Sequence, residues 1–124
     1  MLRFRQFLFL FCLLFLIVEE DLAQTGNYFV RNYLPKEYQE SGNNSGITQN
    51  DEGLIFVANN NGVLVFDGIS WDQCKREDEV SVFCIAKTSG GEIVVGTADG
   101  DIAKIVKKQK GKYTYVSLLG EIAE

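Results

Sequence analysis

Histidine is absent from all 124 residues, and that single gap removes a large block of enzyme chemistry. Without an imidazole there is no Ser–His or Cys–His nucleophile pair and no His-ligated metal site. Cysteine is scarce as well: Cys12, Cys74 and Cys84 are the only three, and none stands in a Cys-x-x-Cys spacing. A zinc or dithiol redox motif therefore has nothing to build on. Positive charge is in deficit, 12 Lys and Arg against 17 Asp and Glu for a net of −5, which argues against a nucleic-acid footprint. Proline occurs once against twelve glycines. With frequent Val, Ile, Phe and Tyr, that balance points to strands joined by tight turns. What remains is ordinary globular composition, 46% hydrophobic and 23% charged, in a chain long enough for one small domain.

Only one long apolar run exists, Phe7 to Val18, just after Arg3 and Arg5. Twelve helical residues cover roughly 18 Å, short of a hydrocarbon core of roughly 30 Å. A basic start, a short apolar stretch and a small residue after it describe a secretory signal peptide. Cleavage is expected after Ala23, so that residues 1–23 form the signal. Asp21 sits badly three positions before the cut, and an uncleaved anchor stays open as the second reading. Either way the chain is expected to be exported, to the periplasm or the outer face of the membrane. Once the signal is removed, Cys74 and Cys84 are the remaining thiols in a compartment that permits disulfides. They either bridge or serve as two small core residues.

The middle of the chain repeats itself. Ile47–Gly62 aligns without gaps on Ile85–Gly100, thirty-eight residues further on. Gly53 and Gly91 each end a polar turn before an apolar run. Asn61-Gly62 and Asp99-Gly100 each follow that run and precede another. Asn-Gly and Asp-Gly are favoured at the centre of type I′ hairpins. The spacing predicts strands over Gly46–Gln49, Leu54–Asn59, Val63–Phe66 and Ser70–Cys74. A second set is predicted over Val82–Lys87, Glu92–Thr97, Ile102–Lys107 and Tyr113–Leu119. The second strand of each set is apolar on both faces, the mark of a strand covered on both sides. The last mixes polar and apolar residues, as an outer edge does. Four strands in about forty residues, greasy inside and wetter outside, describe a β-propeller blade. Sandwich strands are the alternative, but they alternate more cleanly and lack a fixed period. The expected fold is thus all-β: a partial propeller of about two four-stranded antiparallel blades behind a helical signal peptide. Its parts are a lead-in at 24–45, a first blade at 46–74, a link at 75–81 and a second blade at 82–119. Residues 120–124 begin a truncated continuation. Gly53, Gly62, Gly91 and Gly100 are the structural turn residues.

The stretch Gly91-Glu92-Ile93-Val94-Val95-Gly96-Thr97 followed by Gly100 resembles the two-component regulator propeller repeat. The lead-in Asn32–Tyr38, the stretch Ile55–Trp71 and the closing Tyr115–Leu119 are similar to the first blade of exported sensors that carry a triple-tyrosine domain after the propeller. The chain departs from the repeat at Val94, where Trp is frequent, at Asp101, where Leu is usual, and at Gly46, where an aromatic is expected. The resemblance implies an extracytoplasmic sensor whose kinase or DNA-binding output lies in parts not present here. It also implies that the turns between second and third strands share one mouth with the link to the next blade.

At that mouth stand Asn59, Asn60, Asn61 and Asp99, with amides and a carboxylate suited to a small oligosaccharide-like or peptide ligand. The plainer explanation is that such turns demand Asn and Asp. Asp72, Glu77, Asp78 and Glu79 do not supply a carboxylate pair held across a substrate, and the run from Lys75 to Glu79 lacks a calcium-loop pattern. A solvated link accounts for it. Lys107, Lys108, Lys110 and Lys112 fit a charged hairpin around Gly111. Trp71, Tyr113 and Tyr115 could stack on sugar rings, though such aromatics more often fill blade interfaces. Asn43-Asn44-Ser45 matches a glycosylation sequon, relevant only in a eukaryotic secretory pathway. No catalytic residue, cofactor or metal is expected, and no nucleic-acid partner. Membrane attachment is expected only through absent C-terminal parts or an uncleaved anchor. The function implied is a non-catalytic N-terminal fragment of a ligand-sensing propeller, whose partners are its remaining blades. An exported interaction scaffold, and a truncated propeller hydrolase or lyase with its catalytic residues on absent blades, are the rivals.

Overall fold

The structure, a computed structural model, describes residues 2–15, 29–109 and 111–119. The chain divides into two compact units, 1–31 and 32–124. In the first, helix α1 runs Leu2–Phe15. Its sequence has no Gly, Pro or β-branched residue to break it, and its leucines are strong helix formers. Among the described residues no helix is long and apolar enough to cross a membrane. The cleavage position expected after Ala23 and the closing residues 120–124 lie outside the described residues.

The second unit begins with a lead-in carrying one short turn of helix, α2 (Pro35–Tyr38), followed by eight strands. The first sheet is β1 (Asn44–Gln49), β2 (Ile55–Asn59), β3 (Gly62–Phe66) and β4 (Trp71–Cys74). The second is β5 (Val82–Lys87), β6 (Ile93–Thr97), β7 (Ile102–Lys107) and β8 (Tyr113–Ser117). Each is a four-stranded antiparallel sheet in which every strand pairs with its neighbours in sequence. All eight predicted strands are present, with ends moved by at most two residues. β1 starts early because Asn44 still pairs with Asn59 across a bulge at Ser45.

The thirty-eight-residue repeat recurs in the hydrogen bonding. Asn50 N donates to Leu54 O as Thr88 N does to Glu92 O. Asn60 N donates to Asn43 O as Ala98 N does to Ser81 O. The bulge in β1 recurs in β5, between Val82 and Cys84.

The type I′ hairpins expected at Asn61-Gly62 and Asp99-Gly100 are not what form. In the second sheet, Gly100 N donates to Thr97 O at 3.1 Å and Thr97 N to Asp101 O at 3.0 Å, with φ +86° at Gly100. That is a type I turn closed by a glycine bulge, so a single positive-φ residue suffices. In the first sheet only Asn60 and Asn61 lie between the paired Asn59 and Gly62. The Asn59 side-chain carbonyl accepts the Asn61 N–H at 3.0 Å and fixes that tighter turn. The extra residue at Asp101 shifts the correspondence of the following strands by one: Val63 now matches Ile102, each facing its β2 or β6 partner, Ala58 or Gly96.

Alternation sets two faces on each sheet. Phe56, Ala58, Val63, Val65 and Cys74 form the front of the first sheet and are buried against Val82, Ile93, Val95, Ala103 and Ile105 of the second. Each large side chain sealed there contributes roughly 1.5–3 kcal/mol of transfer free energy. Tyr113 closes the layer edge-on to Phe56, ring centroids 5.2 Å apart at 90°. The back of the first sheet, Val57 and Leu64, is covered by Tyr38, with Tyr33, Ile55 and Trp71 packed alongside. β2 and β3 are therefore covered on both sides, the condition that their unbroken apolarity predicts.

Cys74 and Cys84 are free thiols. The bridge left open by the sequence does not form because the two lie on different surfaces. Cys74 is sealed between the sheets, and its thiol is pushed up to about 12 by burial. Cys84 lies over Gly96 on the outward face of the second sheet, where a Cβ on Gly96 would fall 2.6 Å from the sulfur. Asp101, an awkward residue for a repeat interior, is buried but partnered. Ser117 Oγ donates to it at 2.8 Å, and Arg76 lies 3.5 Å away.

Candidate functional site

The residues expected at one mouth do come to one end of the sheets. The turn after Asn59, the link 75–81 and the turn after Thr97 are tied together there by two ion networks. In the first, Asn61 Nδ2 donates to Glu40 Oε2 at 2.7 Å, and Glu40 pairs with Lys75. In the second, Arg76 grips Asp78 through Nε at 3.0 Å and a terminal nitrogen at 2.7 Å, and reaches Asp99 at 2.9 Å. Neighbouring residues of the link thus clamp opposite neighbours: Lys75 holds the first sheet and lead-in, Arg76 holds the second.

The four candidate residues divide in their roles. Asn59 is fully buried, and its amide donates to Ser41 O at 2.6 Å and to Asn44 Oδ1 at 2.7 Å. It pins the lead-in to β1 and β2. Asn61 is joined to Glu40. Asn60 is half-buried, with its backbone N–H bonded to Asn43 O. Asp99 accepts from the Thr97 hydroxyl and the Arg76 guanidinium while its carboxylate stays partly open to solvent. The Thr97 hydrogen bond is the largest influence holding Asp99 below the usual carboxylate range, with Arg76 adding to it. Among the polar groups left accessible at this end are Asn60, Asp78 and Asp99. Among the described residues, no group of three or more His, Cys, Asp or Glu is placed to hold a metal ion.

The Glu40 network has a pH signature. Burial pushes the carboxyl up, but the hydrogen bonds from Lys75 and Asn61 and the Lys75 charge outweigh it, leaving Glu40 below its ordinary 4.5. A depressed carboxylate adds stability that is complete above its unfolded pKa and is lost as pH falls through the folded value. Acidification below about pH 4.5 is expected to loosen the lead-in. Trp71, the only tryptophan, packs against Tyr38 of the lead-in at 5.5 Å, so its fluorescence reports the event. Glu40→Gln should cost about 1–3 kcal/mol at neutral pH and flatten that acid transition. An unchanged transition in the variant would assign the loosening to other carboxylates.

Sequence reasoning missed one feature. Beside β4 lies a groove of about 380 Å³ lined by Glu37, Gln39, Trp71, Asp72, Gln73 and Lys112, among others. It arises because the lead-in crosses the back of the first sheet, and no local pattern announces that crossing. Trp71 is stacked on Phe66, centroids 4.6 Å apart at 29°, and its Nε1 is buried with no hydrogen-bond partner among the described residues. Tyr113 and Tyr115 pack against the layer between the sheets, and burial raises both hydroxyls above their ordinary pKa. All three aromatics are engaged in packing. The run from Lys75 to Glu79, a simple solvated linker by its sequence, is more than that in the structure. Its two cations are structural, and the charge order Lys-Arg-Glu-Asp-Glu gives no hint of their separate targets.

No protein family, no curated protein and no solved structure matches this chain.

Proposed function

We propose that the two sheets are successive blades of a β-propeller, and that the chain is the non-catalytic N-terminal part of an exported ligand sensor of the two-component regulator propeller kind. Residues 1–23 serve as its signal peptide. The observation that carries this reading is the sense of the stacking. The front of the first sheet rests on the back of the second, with corresponding residues thirty-eight or thirty-nine positions apart on corresponding faces. A front-to-back contact is heterologous, so it continues into further sheets and closes only as a ring. The sheets approach most closely along their first strands, β1 against β5, and much less at β4 and β8, as radial blades do.

On this reading a small oligosaccharide or peptide binds at the rim carrying Asn60 and Asp99, and its binding biases the arrangement of domains beyond the chain. A purely structural scaffold is favoured by a different observation: the rim's amides and cations are largely committed to internal bonds. Two measurements separate them. The reading frame past Glu124 is expected to hold further forty-residue repeats, then a membrane helix with kinase or helix-turn-helix sequences. A stop codon immediately after Glu124 would sink the sensor. In the full-length product, Asn60→Ala is expected to weaken binding of short oligosaccharides up to about tenfold in a calorimetric titration. Binding unchanged by that substitution moves the site off this rim.

A further inference from the structure

The turn between β2 and β3 carries a reactive pair of residues. Asn61-Gly62 is the only Asn-Gly step in the chain, and asparagine is among the thermolabile residues. Glycine has no Cβ to shield its backbone nitrogen from the side chain before it. That nitrogen is placed by covalent connection to attack the Asn61 side-chain carbonyl carbon and close a cyclic imide.

In the fold both reactants are restrained. The leaving group, Asn61 Nδ2, donates to Glu40 Oε2 at 2.7 Å, and Glu40 is itself fixed by Lys75. The Asn61 backbone N–H is held by the Asn59 side-chain carbonyl at 3.0 Å. Gly62, which supplies the nucleophile, is buried and pairs with Asn59 in the β2–β3 ladder. Reaction therefore waits on local opening of the turn, which needs less free energy than global unfolding.

Two Asp-Gly steps, Asp67-Gly68 and Asp99-Gly100, set the same nitrogen beside a carboxyl. Imide formation there needs the protonated acid, because a carboxylate is a poor electrophile. Hydrogen bonds from the Ser70 and Ile69 backbone hold Asp67 below the ordinary carboxylate range. Thr97 and Arg76 do the same for Asp99. Both are ionised at neutral pH, so Asn61 is the step that reacts.

We propose that Asn61 is a site of spontaneous deamidation, and that its modification detaches the lead-in from the first sheet. The Gly62 nitrogen gives its proton to water and bonds to Asn61 Cγ; the Cγ–Nδ2 bond breaks and ammonia leaves. Water then opens the imide at either carbonyl, giving aspartate or isoaspartate. Neither step is a redox step, and the amide is not regenerated. An aspartate at position 61 replaces the donor that Glu40 now binds with a second carboxylate competing for Lys75. Two carboxylates sharing one site repel, and the pKa of one is raised. Glu40 belongs to the lead-in, whose Tyr38 covers the back of the first sheet, so the repulsion acts on that cover. The isoaspartate product also lengthens the backbone of the turn and disturbs its register.

The test ages the full chain at mildly alkaline pH and follows every asparagine by peptide mapping with mass spectrometry. Residue 61 is expected to convert to acid and isoaspartate ahead of all other asparagines, with no isoaspartate at Asp67 or Asp99. In urea the same site should react about tenfold faster or more, because the turn is open. N61D supplies one product directly. Its lead-in should be loose at neutral pH by Trp71 fluorescence and should tighten on acidification. A carboxylate whose folded pKa is raised destabilises above that value, and the cost is relieved as pH falls through it. The acid trend of N61D is thus opposite in sign to that of the unmodified chain. An Asn61 that keeps its amide on ageing, or reacts equally fast in the folded chain and in urea, would overturn the site. An N61D chain with the unmodified acid profile would overturn the detachment.

Discussion

Phe56→Ala is expected to cost about 3–5 kcal/mol, the largest loss available from one side chain in the layer between the sheets. Phe56 is 1% exposed, and its ring meets Tyr113 edge-on. Removing it empties a space bounded by strands of both sheets, which cannot close without breaking the match between front and back. Domains of this size are ordinarily stable by only about 5–15 kcal/mol, so the variant should sit near its unfolding midpoint at low urea. Val94→Ala, at the corresponding front position of the second sheet, should cost under about 1 kcal/mol, since Val94 is only half-buried among the described residues. Urea unfolding of both variants decides the matter. Similar costs at the two positions would mean that the sheets do not stack by the face described.

Gly62→Ala comes next, at about 3 kcal/mol or more. Gly62 adopts φ +132°, and a Cβ there would fall 2.6 Å from the Cys74 carbonyl oxygen. That oxygen is backbone of the adjoining strand and cannot swing aside. Gly100 is the internal control: it has φ +86°, but a Cβ there would meet nothing within 4 Å. Gly100→Ala should therefore incur only the left-handed backbone penalty, about 1–2 kcal/mol. If the two substitutions cost the same by urea denaturation, the close approach at Gly62 is not maintained in solution.

That contrast also shows where local pattern stops being informative. Gly62 and Gly100 align in sequence, and the pattern assigns both one job in one type of turn. They differ because the Asn59 side chain accepts from Asn61 N–H in a two-residue turn, whereas the Thr97 backbone bonds to Gly100 and Asp101 across a longer one in which Gly100 is the bulge. Strand positions were legible because apolar runs such as Leu54–Ala58 and Ile93–Val95 are bounded by glycine turns on both sides. The rim was legible only as a set of turn residues. Lys75 and Arg76 were opaque, since a charged run reads as solvent-facing until the opposing carboxylates of Glu40, Asp99 and Asp101 are in view.

By itself the sequence determined the local and periodic features: eight strands, their neighbour-to-neighbour pairing, the thirty-eight-residue offset and the absence of imidazole chemistry. Side-chain alternation and glycine φ preferences act over a few residues, so they are written in the order of the letters. Only the tertiary structure decided which faces meet. It set front against back, separated Cys74 from Cys84, and turned Asn59 from a rim group into a pin for the lead-in. Those outcomes depend on contacts between residues tens of positions apart, where packing volume and burial, rather than local preference, choose the partner.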